Sequence, residues 1–165
     1  CNRGSGGYSG HGVNAAEWAI ETAQKLRQHT DRPIVVRTHS GMGHPTAAED
    51  IKKLYEAKNH INNFDIHSPG TNYPDLVQEV KDSYAVVIFT SSSGAPAIIE
   101  GKPLFVTHPT GYLTPMNAGE LSDIENPNYD LDRDKFLHGL GEAHWTLEQI
   151  ENGDYFKKFI ERQND

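Results

Sequence analysis

Apolar and polar positions follow two periods along this chain. Ala15, Trp18, Ala19, Thr22, Ala23 and Leu26 fall on one stripe at 3.6-residue spacing, which predicts a helix over residues 14–27. Asn14 is placed to cap it, with Glu17 three residues on in the capping-box arrangement. Arg32-Pro33 ends the pattern, and Ile34-Val35-Val36 reads as a short, wholly apolar strand. Residues 45–55 predict a second helix, with proline in its first turn and Ala47, Ile51 and Leu54 facing inward. Phe64-Asp65-Ile66 is a weak strand, and residues 73–80 a third helix burying Leu76, Val77 and Val80. Residues 84–89 form the longest apolar run, continuous rather than alternating, as in a parallel strand covered on both faces. A short helix over 93–99, ended by Gly101, leads to the strand Leu104-Phe105-Val106.

Beyond that strand the chain changes character. Residues 107–130 hold three prolines and two glycines with no periodicity and read as a long loop. Residues 131–165 predict terminal helices, one over 131–140 and one over 146–160 broken at Asn152-Gly153. Strands alternating with crossover helices specify an α/β fold. The expectation is a single Rossmann-like domain over 1–165: an open parallel sheet of four to five strands, helices on both faces, and C-terminal helices.

Composition sharpens this picture in three ways. The chain has 165 residues, a size that supports one hydrophobic core. Only 36% of it is hydrophobic and mean hydropathy is −0.65, so the core is thin or part of the surface lies against something else. The net charge of −8 argues against a broad nucleic-acid-binding face, while leaving room for a local basic pocket. No apolar run approaches the ~18 residues of a membrane helix. One cysteine excludes an internal disulfide and suits a reducing, cytoplasmic setting. That cysteine is Cys1, followed by a polar, glycine-rich stretch. A lipoprotein cleaved at its lipobox would begin so, and so would a piece of a longer protein cut at the end of a strand; the alternation that follows favours the second.

In open α/β sheets ligands bind outside the carboxyl ends of the strands. The turns at those positions are rich in glycine, hydroxyls and histidine. Thr90-Ser91-Ser92-Ser93-Gly94 stands between a buried strand and a helix N-terminus, where free amides and the helix dipole attract anions. Ordinary N-capping accounts for one of those serines; three hydroxyls and a glycine suit a phosphate. Residues 3–12 contain five glycines and Arg3, and would wrap a substrate closely or serve as a linker. Arg3 and Arg37 each present a planar fork for bidentate phosphate contact, against the commoner fate of a surface salt bridge. His39, His67 and His108 all follow strands, the basis for an alternative as a metal-dependent hydrolase on a flavodoxin-like sheet. His39 and His44 flank Gly41-Met42-Gly43, a weak metal signal, and no H-E-x-x-H motif occurs. A non-enzymatic binding module is the remaining class.

Arg37-Thr38-His39-Ser40-Gly41 after a strand resembles the Arg-x-His turn of bacterial and phage glycosyltransferases of the GT-B fold. Residues 84–106, with Ser91-Ser92-Ser93-Gly94, Glu100 and Gly101-Lys102-Pro103, are similar to the nucleotide-sugar segment of capsule polysaccharide transferases. Residues 145–153 look like the terminal helices of that group. The likeness covers roughly residues 32–159. Thr38 and Ser40 stand where the family turn has prolines.

The resemblance implies the C-terminal, donor-binding half of a two-domain enzyme that transfers a sugar from a nucleoside-diphosphate sugar, uridine diphosphate being the nucleotide to test. Ser91, Ser92, Ser93 and Gly94 would hold the pyrophosphate, with Arg37 and His39 as the catalytic pair in the same cleft. Arg3, Gly4 and Gly6 would face the domain interface, Glu100 would hold the ribose, and His108 would line the donor site. No metal or other cofactor is implied. The acceptor would be a glycan or a modified DNA base, met by an N-terminal half outside this sequence.

Overall fold

Asn14 starts the first helix as its spacing predicts. Its Oδ1 accepts the Glu17 amide at 3.0 Å, and helix α1 runs over Ala15–Leu26 with Ala16, Ala19, Thr22, Ala23 and Leu26 buried. The computed structural model describes residues 12–38, 47–67 and 75–162. Strand β1 (Ile34–Arg37) lies parallel to β2 (Phe64–His67), with helix α2 (Ala47–Lys58) between them in sequence; the register pairs Ile34 with Phe64 and Arg37 with His67. Helix α3 (Leu76–Asp82) is capped by Asp75, whose Oδ1 accepts the Gln78 amide. Strand β3 (Val86–Ile88) then pairs, also in parallel, with β4 (Leu104–Val106); a 3₁₀ turn over Ser92–Gly94 and helix α4 (Ala95–Ile99) connect them.

The expected Rossmann-like sheet of four to five strands does not form. Among the described residues the strands make two separate two-stranded parallel sheets, β1 with β2 and β3 with β4. About half of the described structure is helical, so the fold is mixed α and β rather than an open sheet covered by helices. The reason is local. β1 and β3 do not pair with each other, because both open onto a cavity that lies between them. Helix α1 holds the two sheets in one body: Ala16, Ala19 and Ala23 pack with Phe64 and Ile66 of the first, and Leu26 with Phe105 of the second.

Residues 107–130 form no α-helix or strand of three or more residues. They carry two 3₁₀ turns, Thr114–Met116 and Leu121–Asp123, and they close the core along β4. Asn117 Oδ1 accepts the Val106 amide at 2.9 Å, and the Ala118 amide donates to the Leu104 carbonyl at 2.7 Å. Leu113, Met116, Ala118 and Ile124 are buried.

The chain divides into two compact units, Cys1–Leu131 and Asp132–Asp165. Among its described residues the second holds three helices: α5 (Arg133–Ala143), α6 (Leu147–Glu151) and α7 (Asp154–Arg162). Thr146 and Gln149 form a reciprocal capping box on α6. The break between α6 and α7 falls at Asn152-Gly153, as the sequence predicts, with Gly153 at φ +74° in the left-handed region that glycine tolerates. No helix among the described residues is long and apolar enough to cross a membrane.

Candidate functional site

The cavity between β1 and β3 measures about 690 Å³. Its body is apolar, walled by Ile34, Val35 and Val36 of β1, by Val86, Val87 and Ile88 of β3, and by the alanines of α1. At the end where both strands finish, its lining turns polar: Arg37, Thr38, Asp50, His67, Glu79 and Ser93. At the other end Arg32, which precedes β1, lies over the ring of Tyr84, which precedes β3, with its guanidinium carbon 3.7 Å from the ring centroid.

One carboxylate organises the polar end. Glu79 Oε2 accepts from Arg37 Nη1 at 2.5 Å, and its Oε1 lies 2.5 Å from His67 Nδ1. All three side chains are at most one-fifth exposed. Arg37 and His67 are register partners at the carboxyl ends of β1 and β2, and Glu79 reaches them from α3. An ionised Glu79 accepts from both and fixes the imidazole orientation. Asp65 stands 3.9 Å from His67 Nε2. The Lys58 ammonium, and then the Ile66 amide, hold the Asp65 carboxyl below the ordinary aspartate range.

Asp50 adds a second carboxylate. Its Oδ1 accepts from Asn14 Nδ2 at 2.9 Å, while its buried Oδ2 has no hydrogen-bond partner among the described residues. A buried oxygen without a donor costs free energy, of the order of 1–3 kcal/mol. Such an atom is where a ligand hydroxyl or N–H gains most.

Of the residues the sequence singles out, Arg37, His67 and Ser93 come together on this cavity. Ser91, Ser92, Gly94, Glu100 and His108 do not line it. Ser91 caps the 3₁₀ turn instead: its Oγ accepts the Ser93 amide at 3.2 Å and lies 2.7 Å from the Ser93 hydroxyl. Gly94 is buried by packing, since a Cβ there would stand 2.8 Å from Ile88 Cδ1 and 3.0 Å from the Leu104 and Leu113 methyls. Glu100 follows α4 with its Oε1 3.7 Å from Lys81 Nζ. The His108 ring lies tilted against Phe89, 4.6 Å between centroids, and its Nδ1 is 2.9 Å from Thr110 Oγ1. Arg3, Gly4, Gly6 and His39 lie outside the described residues, as do Cys1 and His44. Among the described residues no group of three or more His, Cys, Asp or Glu is arranged to hold a metal ion.

Sequence reasoning missed Glu79 and Asp50, and both left the same signal. Glu79 is three residues after Leu76 and next to Val80; Asp50 is four before Leu54. Each is a carboxylate set into the apolar stripe of its own helix, where an unpaired charge is costly and a partner or ligand is therefore implied. Comparison with protein-family models, with curated proteins and with solved structures finds no match to this chain.

Proposed function

We propose that this chain is the donor-binding part of a glycosyltransferase, with the diphosphate of a nucleoside-diphosphate sugar seated at the polar end of the cavity. The observation that carries this reading is that Arg37, the last residue of β1, and Ser93, in the turn after β3, come from two different sheets and line one cavity. A guanidinium presents five donors in a rigid fork, a hydroxyl adds another, and together they suit a diphosphate. Asp50 Oδ2 then accepts a sugar hydroxyl. During transfer, negative charge grows on the departing diphosphate, and a donor already aimed at it lowers the barrier without reorganising. Glu79 sets the position of Arg37 and orients the His67 imidazole through Nδ1. The acceptor, a glycan or a modified DNA base, would be presented by a second domain.

Uridine diphosphate tests this directly by thermal denaturation. At one hundred times its dissociation constant it stabilises the folded chain by about 2.7 kcal/mol. Arg37→Ala removes the shift, Arg37→Lys leaves a reduced one, and Arg162→Ala keeps it whole. No shift with any nucleoside diphosphate at millimolar concentration overturns the assignment.

A further inference from the structure

The apolar body of the cavity poses a separate question, because its walls are strand edges. In a parallel pair, alternate residues of a strand direct both backbone groups to the neighbour. The Ile34 amide donates to the Asn63 carbonyl and the Thr38 amide to the His67 carbonyl, so the even-numbered residues of β1 serve β2. The Val35 N–H and C=O therefore point to the other edge. In the same way Val86 donates to Pro103 and Ile88 accepts from Thr107, which turns the backbone of Val87 away from β4. Both outward edges open on the cavity, and neither Val35 nor Val87 finds a backbone partner there among the described residues. Val35, mid-strand and apolar, is 47% exposed.

We infer that this cavity is the seat of one further extended segment, an apolar strand of the same polypeptide that enters α1 from its N-terminal side and pairs with β1 and β3 at once. Four observations select that occupant. Two facing rows of backbone donors and acceptors are satisfied by another backbone; a hydrocarbon or lipid tail would leave them unpaired. A residue in a covered sheet takes up roughly 160 Å³, from its 3.3 Å rise, 4.8 Å strand spacing and 10 Å layer spacing. The cavity of about 690 Å³ therefore holds about four residues, the length of β1 itself. The Arg32 side chain laid on Tyr84 joins the amino ends of β1 and β3, and Arg37 and Ser93 share the far end, so the two edges run the same way. Lastly, α1 packs across both sheets and leads into β1, so a strand feeding α1 beside β1 makes a parallel β–α–β crossover through that helix.

The test joins a Lys-Val-Ile-Val-Ile-Val segment to Cys1 of the full chain and follows backbone amide exchange. A Gly-Ser segment of equal length is the control, together with a version carrying proline at the centre. The apolar fusion slows exchange of the Val35 and Val87 amides by about tenfold or more, as a newly made hydrogen bond does. The Gly-Ser and proline versions leave them fast. The Phe105 amide in β4, protected in every version, reports that the chain is folded. Unchanged exchange at Val35 and Val87 in the folded apolar fusion overturns the proposal. So does protection of the unfused chain that rises with its concentration alongside a dimer, which assigns the groove to a second copy. Protection by the free hexapeptide but not by the fused one also overturns it, in favour of a separate partner. None of these readouts depends on uridine diphosphate, so failure here and failure of the donor-site assignment are separable.

Discussion

Leu104-Phe105-Val106 of β4 and Ile34-Val35-Val36 of β1 are equally apolar and lie in different surroundings. Leu104 and Phe105 of β4 are each 1% exposed: Phe105 packs with Leu26 of α1 and with Ala118 and Ile124 of the 107–130 stretch, and the Ala118 amide donates to the Leu104 carbonyl. Val35 of β1 is open to a cavity. Apolarity in a strand says that it needs cover, and leaves open what supplies it. On one side of the second sheet the cover is an irregular stretch tied down by backbone hydrogen bonds. Between the sheets the cover is a cavity whose polar end collects the residues able to do chemistry.

The contrast can be broken by mutation. The largest effect belongs to Phe105→Ala, which costs about 3–5 kcal/mol in urea denaturation because the void cannot collapse. Val35→Ala costs under about 1 kcal/mol by the same measurement. Equal losses would erase the distinction drawn here. Next comes Glu79→Gln, which keeps the shape but withdraws the charge that Arg37 and His67 share; about 1.5–3 kcal/mol is lost, as for hydrogen bonds to charged groups. Lys52→Ala, whose pair with Glu56 is exposed, stays near zero. Gly94→Ala costs about 1–3 kcal/mol through overpacking, with Ile88 shifted from its rotamer. A Gly94→Ala protein as stable as the parent would return that glycine to a ligand-binding role.

The smallest effect is one of pH. Asp65 ionises below the ordinary aspartate value, so its contribution is complete above about pH 4 and is lost as pH falls through the lower folded value. Lys58→Ala moves the Asp65 titration up toward the ordinary value in carboxyl-resolved NMR. An unmoved titration would mean that the Ile66 amide alone holds it.

Local signals in the sequence carried far. The Asn14 cap, the limits of β4 and the break at Asn152-Gly153 are each fixed within a few residues, and the structure has them where the pattern puts them. The third helix lies later than its apolar spacing suggests, at Leu76–Asp82, with Val77 exposed. The sheet was not legible, because pairing between β1 and β3 depends on what lies between them, and neither strand encodes that. Part of the site was legible: position after a strand finds Arg37, His67 and Ser93. Glu79 and Asp50 come from helices, where rules about strand ends do not reach. Gly94 shows the reverse failure, since a glycine suited to a phosphate and one required by three neighbouring methyls look alike in one dimension.

The central claim is that a diphosphate sits between Arg37 and Ser93. Titration of the isotope-labelled chain with uridine diphosphate, read by amide and guanidinium NMR shifts, tests it most directly. Saturable shifts at the Arg37 side chain, Thr38 and Ser93, with Glu100 and His108 unmoved, are the predicted result. Shifts gathered at Glu100 and His108 with Arg37 silent, or no saturable shift at all, would contradict it.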